Sequence, residues 1–210
     1  MVVCHSASAQ DGTIKDIDGN VYHVIKIGTQ RWMQENLKTA HYRDGTPIIE
    51  MENSAKWVNV GESKTGAWCY YDNNEGNNPT YGKLYNWYAV ADTHHLCPTG
   101  WHVPSKVEWD VLTDYLGGYK VAGGRIKAMT LWKTRNKGAD NSSGFTALPG
   151  GYRDTARTIF HYLGGIGDFW SSTENNIFLA WDCYLGYNYS KVYCGPYGKG
   201  NGYSVRCVGD

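Results

Sequence analysis

"CPTGWHVPSKVEWDVLTDYLGG", residues 97–118, carries a complete helical grammar. Ser105 and Glu108 stand three residues apart just after Pro104, the spacing of a capping box. Trp109, Leu112, Tyr115 and Leu116 then recur at helical intervals, and Gly117 with Gly118 stops the run. The weight of this stretch comes from its surroundings. The chain of 210 residues holds 26 Gly, nine Trp and 17 Tyr against four Phe, a mixture that favours strands and ordered loops over helices. A capped helix inside such a composition makes the fold class α+β.

Working outward from this helix, "YGKLYNWYAVAD" (residues 81–92) places Leu84, Trp87, Tyr88 and Ala91 on one helical face and predicts a first, shorter amphipathic helix. Earlier still, "IKDIDGNVYHVIKIGTQRW" (residues 14–32) sets turn residues Asp18, Gly19 and Asn20 before the β-branched run 21–27 and predicts a β-hairpin. Residues 43–78 show no helical period and read as ordered loops around the short strand "AWCYY". Beyond Gly124 the chain returns to glycine-rich loops and short strands and closes with "GYSVRCV" (residues 202–208) as a terminal strand. The expectation is two helices, short antiparallel strands and long ordered loops. No internal repeat or Pro/Ser-rich linker divides it, so residues 11–210 form a single domain. Residues 1–10 read as the remnant of a signal peptide or a flexible N-terminus. Alternatively, Cys4 is the lipid-modified cysteine of a truncated lipoprotein signal.

Zero formal net charge and a pI of about 7.0 supply no field for nucleic acid or an anionic membrane. No apolar run approaches the ~20 residues of a membrane-spanning helix. The six cysteines show no C-x-x-C pair and no histidine spacing for a metal site, so neither a metal nor another cofactor is expected. The domain is expected outside the cytoplasm, where disulfides persist, and is read as a monomer.

The run "DCYLGYNYSKVYCGPYGKGNGYSVRC" (residues 182–207) holds six of the tyrosines. Tyrosine offers a broad amphipathic contact face with few torsions to freeze, and Gly, Ser and Asn give adaptable loops, as in antibody paratopes. The run reads as a ligand-binding surface. The competing structural account is that these are the half-buried aromatics of a β-sheet and its turns. Strand alternation over "WDCYLGY" sets Leu185 on the core side and assigns Asp182 and Tyr184 to the ligand face. Tyr189, Tyr193, Pro196, Tyr197 and Asn201 follow on the loop and returning strand.

"DIDGNVYHVIKIGTQRWMQENL", "YGKLYNWYAV", "CPTGWHVPSKVEW", "SGFTALPGGYR", "FWSSTE" and "GYSVRCV" resemble, in order, the Fibrobacter succinogenes major paralogous domain family. The resemblance implies a C-type-lectin-like fold and an extracellular setting, secreted or on a bacterial cell surface. Two of the motifs are also similar to those of formylglycine-generating proteins of that fold. The end of the chain resembles the variable region of proteins diversified by retroelements, which are bacterial or phage-encoded; Trp170 to Glu174 and Ser204 to Val208 bracket it. The fold brings its chain end back beside earlier elements, which implies a Cys97–Cys207 disulfide. The function implied is a receptor-type binding domain for an unknown protein or glycan, its surface near the C-terminus hypervariable. The alternatives are an adhesin module of fixed specificity and, third, a formylglycine-generating-type enzyme. The enzyme reading lacks a convincing reactive cysteine pair, since Cys183 and Cys194 lie inside the variable run and serve better as a staple. Calcium-dependent sugar binding lacks its Glu-Pro-Asn or Gln-Pro-Asp triplet. No catalytic residue is assigned.

Overall fold

The computed structural model describes residues 10–157 and 159–210. The expected signal remnant, with Cys4, lies outside them apart from Gln10, which already opens the first strand. In chain order the elements are β1 (Gln10–Lys15), β2 (Val21–Ile27), β3 (Gln30–Met33), β4 (Ile49–Glu50), α1 (Ser54–Glu62), β5 (Ala67–Cys69), α2 (Asn78–Tyr81), β6 (Leu84–Tyr85) and α3 (Trp87–Val90). There follow β7 (Trp101–His102), α4 (Lys106–Tyr115), α5 (Tyr119–Ile126), β8 (Tyr152–Arg153), β9 (Phe160–His161), β10 (Ile166–Glu174), β11 (Leu179–Gly186), β12 (Val192–Gly198) and β13 (Val208–Gly209). The fold is mixed α+β, its strands gathered into small sheets that are antiparallel except for the parallel pair β4 and β5.

The five-stranded sheet runs β1-β2-β3-β13-β7, so the closing strand inserts between β3 and β7, with Val208 opposite both Trp32 and His102. The β1–β2 hairpin turns where Asp18, Gly19 and Asn20 stand, and Asp16 accepts hydrogen bonds from the Asn20 amide and side chain. The α4 helix is capped by both halves of the box, Ser105 and Glu108. It buries Trp109 and Leu112 in a cluster with Trp32, Phe145, Phe169 and Leu185. A second cluster gathers Trp87, Trp101, Trp170 and Tyr203. Trp181 is half-buried, with the Lys106 ammonium 5.5 Å from its ring centre.

Among the described residues five α-helices form where two were expected, and each difference has a physical cause. The α1 helix, in the stretch that shows no helical period, buries Trp57 alone, so its sequence has no apolar stripe; Asn53 caps it. The expected helix over 81–92 resolves into three pieces because Leu84 and Tyr85 pair with Cys69 and Trp68 as β6, after which Asn86 caps the single turn of α3. The glycines of α5 read as loop, but they are needed by packing: a Cβ on Gly123 would lie 2.6 Å from the Lys191 carbonyl oxygen. Of the expected terminal strand, only Val208 falls within a strand; Tyr203 and Ser204 make single bridges to Tyr85 and Phe169.

Disulfides join Cys97 to Cys207 and Cys183 to Cys194, with Cα–Cα distances of 6.1 and 4.1 Å. The first ties the segment before α4 to the one before β13. The second links directly opposite residues of β11 and β12. Disulfides persist in oxidising compartments, and these two point to an extracellular or secreted protein. Among the described residues no helix is long and apolar enough to cross a membrane.

Candidate functional site: a tyrosine-lined cleft

The sheet β10-β11-β12 builds the site by register. Asp168, Tyr184 and Tyr193 stand in one rank across it; Trp170, Asp182 and Gly195 occupy the next, and Ala180 faces Tyr197 in the third. Side chains of alternate ranks share a face, so aspartates and tyrosines lie on one side. Phe169, Cys183, Leu185 and Val192 lie on the other, packed into the core around Trp109. Gly195 lacks the side chain that would fill the middle of the tyrosine face. The Tyr197 ring leans into that space, its Cε2 3.3 Å from where a Cβ on Gly195 would stand.

The rings then meet in sequence. Tyr189 approaches Tyr193 edge-on at 5.3 Å, Tyr193 stacks on Tyr184 at 5.3 Å, and Tyr184 meets Tyr197 at 6.2 Å and 89°. Tyr197 meets Tyr203 at 6.4 Å, and Tyr203 meets Tyr152 of β8 at 5.7 Å. Such offset and edge-to-face pairs at 4.5–7 Å are favourable arrangements of aromatic quadrupoles. Tyr152, Tyr184, Tyr197 and Tyr203 wall a cavity of about 360 Å³ that Asp154, Ile166, Asp168 and Asn201 complete. Asn201 fixes the rim, donating to the Tyr203 hydroxyl at 2.8 Å and accepting from the Thr155 amide at 3.1 Å.

The structure brings together Tyr184, Tyr189, Tyr193, Tyr197 and Asn201 of the residues assigned from sequence. Pro196 is exposed but projects from the opposite face of β12, because it pairs with Trp181. Asp182 is on the tyrosine face as alternation requires, yet it is fully buried beneath the rings and offers no open ligand surface. Its neighbour is Asp168, diagonal to it across the β10–β11 ladder. Asp168 Oδ2 and both Asp182 carboxyl oxygens are sealed from solvent and find no hydrogen-bond partner outside the pair. Burial raises the Asp168 carboxyl far above the ordinary carboxylate range; burial, then the neighbouring Asp168, does the same to Asp182. Both shifts favour the protonated forms of the pair.

Tyr203 of the tyrosine-rich run also joins the cleft, whereas Asp168 and Tyr152, which complete it, do not stand out in the sequence as site residues. The one visible signal is Asp168 itself, an acid set between Gly167 and Phe169 in a strand. Lys127 is another unforeseen part. Its ammonium is buried at the end of α5 and donates to the carbonyls of Lys137, Gly186 and Tyr189 at 3.0, 3.1 and 2.9 Å. Burial lowers its pKa to about 8. Three carbonyls held by one ammonium fix the β11–β12 turn that carries Tyr189, whose ring lies against Gly186.

The class defined by fold and site is a disulfide-stapled α+β domain with a tyrosine-walled cleft over a buried acid pair. The family model described as the Fibrobacter succinogenes major domain matches residues 25–209, and the chain belongs to this family. Searches of curated proteins and of solved structures gave no match.

Proposed function

We propose that the domain is an extracellular ligand-binding module and that the tyrosine-lined cleft is its binding site. The observation that carries the reading is the unbroken path of tyrosine rings from Tyr189 to Tyr152 around a cavity. Aromatic side chains with a polar tip are the commonest anchors of binding surfaces. The Cys183–Cys194 staple and the Lys127 tie hold the hairpin in place before a ligand arrives, which lowers the entropy cost of binding. A thiol-dependent enzyme is disfavoured. Among the described residues the cysteine outside a disulfide is Cys69, buried, its thiol pushed up to about 12 by burial. A C-type-lectin-like fold is supported by the way the closing segment returns beside β3 and β7 and is tied there by Cys97 and Cys207.

The test is a screen of glycan and cell-surface protein arrays with the native domain and with a variant carrying Tyr184→Ala, Tyr193→Ala and Tyr197→Ala. Ligands bound by the first and lost by the folded second support the reading; equal binding by both removes the cleft from the function. Retroelement diversification is the finer form of the proposal. It is favoured by the way Tyr184, Tyr189, Tyr193 and Tyr197 project from a framework whose other face is core. In that case a near-copy of the codons for residues 182–204 stands in neighbouring DNA, differing at template adenines, beside a reverse transcriptase gene. Without such a copy, the module has a fixed specificity.

A further inference from the structure

We propose that the cleft takes an organic ammonium group, primary or methylated, caged by Tyr152, Tyr184, Tyr197 and Tyr203 with its charge turned toward Asp168. The inference rests on the cleft being a binding site and adds the chemical class of what it binds.

The geometry is that of a cage more than of a flat platform. Tyr184 meets Tyr197 at 89°, Tyr197 meets Tyr203 at 79°, and Tyr203 meets Tyr152 at 81°. Successive rings turned nearly perpendicular wall the cavity in several orientations, Tyr203 among them only 2% exposed, whereas a sugar ring stacks on a single open face. A cation within ~6 Å of a ring centre is attracted by the ring quadrupole, and more strongly when desolvated.

The charge balance points the same way. The cavity is lined by two carboxyl side chains, Asp154 and Asp168, and by no basic one. Asp168 is only 6% exposed, and its Oδ2 has no partner outside the acid pair. An anionic ligand would meet two acids there, whereas a cation would meet the Asp168 carboxyl that lines the cavity. The basic groups around the cleft include His161, its Nε2 3.8 Å from Asp154, Arg157, whose charge is felt at Tyr152, and Lys191, its ammonium 4.2 Å from the Tyr193 ring centre; none of them lines the cavity.

A cation also resolves the buried acids. Without one, burial keeps the pair protonated, with Asp182 behind Asp168 reinforcing the effect. When an ammonium group enters, one carboxyl loses its proton to solvent, the cation and carboxylate neutralise each other, and the ligand is held by charge as well as by the rings. Binding and proton release are then linked, so affinity must fall as pH falls.

The experiment is isothermal titration calorimetry of the full chain with three probes: choline, n-butylammonium, and 3,3-dimethylbutan-1-ol, the uncharged carbon counterpart of choline. At least one cation is expected to bind at least about tenfold tighter than the alcohol, as cation–π and charge pairing require. Its affinity is expected to weaken by at least about tenfold from pH 8 to pH 5.5, with a buffer-dependent heat at pH 6 that reports proton release. The choline and butylammonium arms tell a methylated from a primary amine. Asp168→Asn is expected to abolish the preference for charge, and Tyr197→Ala to weaken all three probes. The proposal is overturned if the alcohol binds as well as the cations, if affinity is independent of pH, or if no probe binds. Should array ligands that need Tyr184 and Tyr197 prove neutral or acidic, the cation class fails while the binding site stands.

Discussion

Replacing Asp182 by Asn should make the protein more stable, increasingly so as the pH rises. In the unfolded chain an aspartate ionises near 3.9, and holding one carboxyl protonated at pH 7 against that tendency costs roughly 4 kcal/mol. The burial of Asp168 and Asp182 imposes this cost, because neither has a cationic partner and the oxygens facing inward have no donor outside the pair. An asparagine at this position is nearly isosteric, stays neutral at every pH and offers an N–H to Asp168. We expect a gain of about 2–4 kcal/mol at pH 7, below the full ionisation cost because the buried amide is itself desolvated, which for a chain of this length is a rise of several degrees in melting temperature. The sign of the pH dependence follows from the raised folded-state pKa. What the pair contributes in the native protein is fully present below the unfolded value near 3.9 and is lost as pH rises toward the folded one. The gap between variant and native protein should therefore nearly close at pH 4 and widen through pH 6 to pH 8. Thermal unfolding followed by circular dichroism at those three pH values measures it. An Asp182→Asn variant less stable than the native protein at pH 8, or a gap that does not change with pH, would refute the reasoning.

Leu185→Ala removes a side chain 1% exposed from the cluster around Trp109 and Phe169 and should destabilise by about 2–5 kcal/mol in urea titrations. The triple Ala variant at Tyr184, Tyr193 and Tyr197 loses ring pairs but no core residue, so it should fold with a loss of about 1–3 kcal/mol; circular dichroism showing an unfolded chain would place these rings in the core instead. Replacing Cys97 and Cys207 together by Ala opens a loop of sequence separation 110 and should cost about 4–5 kcal/mol in denaturant, more than the same change at Cys183 and Cys194 with separation 11. Lys127→Met leaves three carbonyls without their donor and should raise amide exchange in the β11–β12 turn, at a cost of about 1–3 kcal/mol.

The sequence announces those parts of the fold whose cause is local. Ser105 and Glu108 make the α4 cap from within one turn, and the Gly19 and Asn20 amides of the β1–β2 turn are satisfied by Asp16 close by. The α5 helix is hidden because its glycines answer to Lys191 and Gly138, which approach from elsewhere in the chain. The cleft divides in the same way. Alternation places Tyr184 on the face away from the core and Leu185 within it, since both follow from β11 alone. Alternation cannot tell that Asp182 is roofed by other rings, or that Tyr152 and Asp168 arrive beside it from the earlier strands β8 and β10. Lys127 is the extreme case, a surface-type residue that becomes a buried tie only because three carbonyls converge on it.

The insertion of β13 between β3 and β7 sets an order on the life of the chain. The five-stranded sheet has a gap at its centre until Val208 arrives, and Val208 follows its partners Trp32 and His102 only after a long stretch of intervening chain. A nascent chain that has already delivered β1, β2, β3 and β7 holds two unjoined halves of a sheet, and the long-range pairing that unites them is intrinsically slow to form. The same delay leaves strand edges open to other chains, so crowding at the moment of release, more than weakness of the finished fold, is where this domain is most exposed to aggregation.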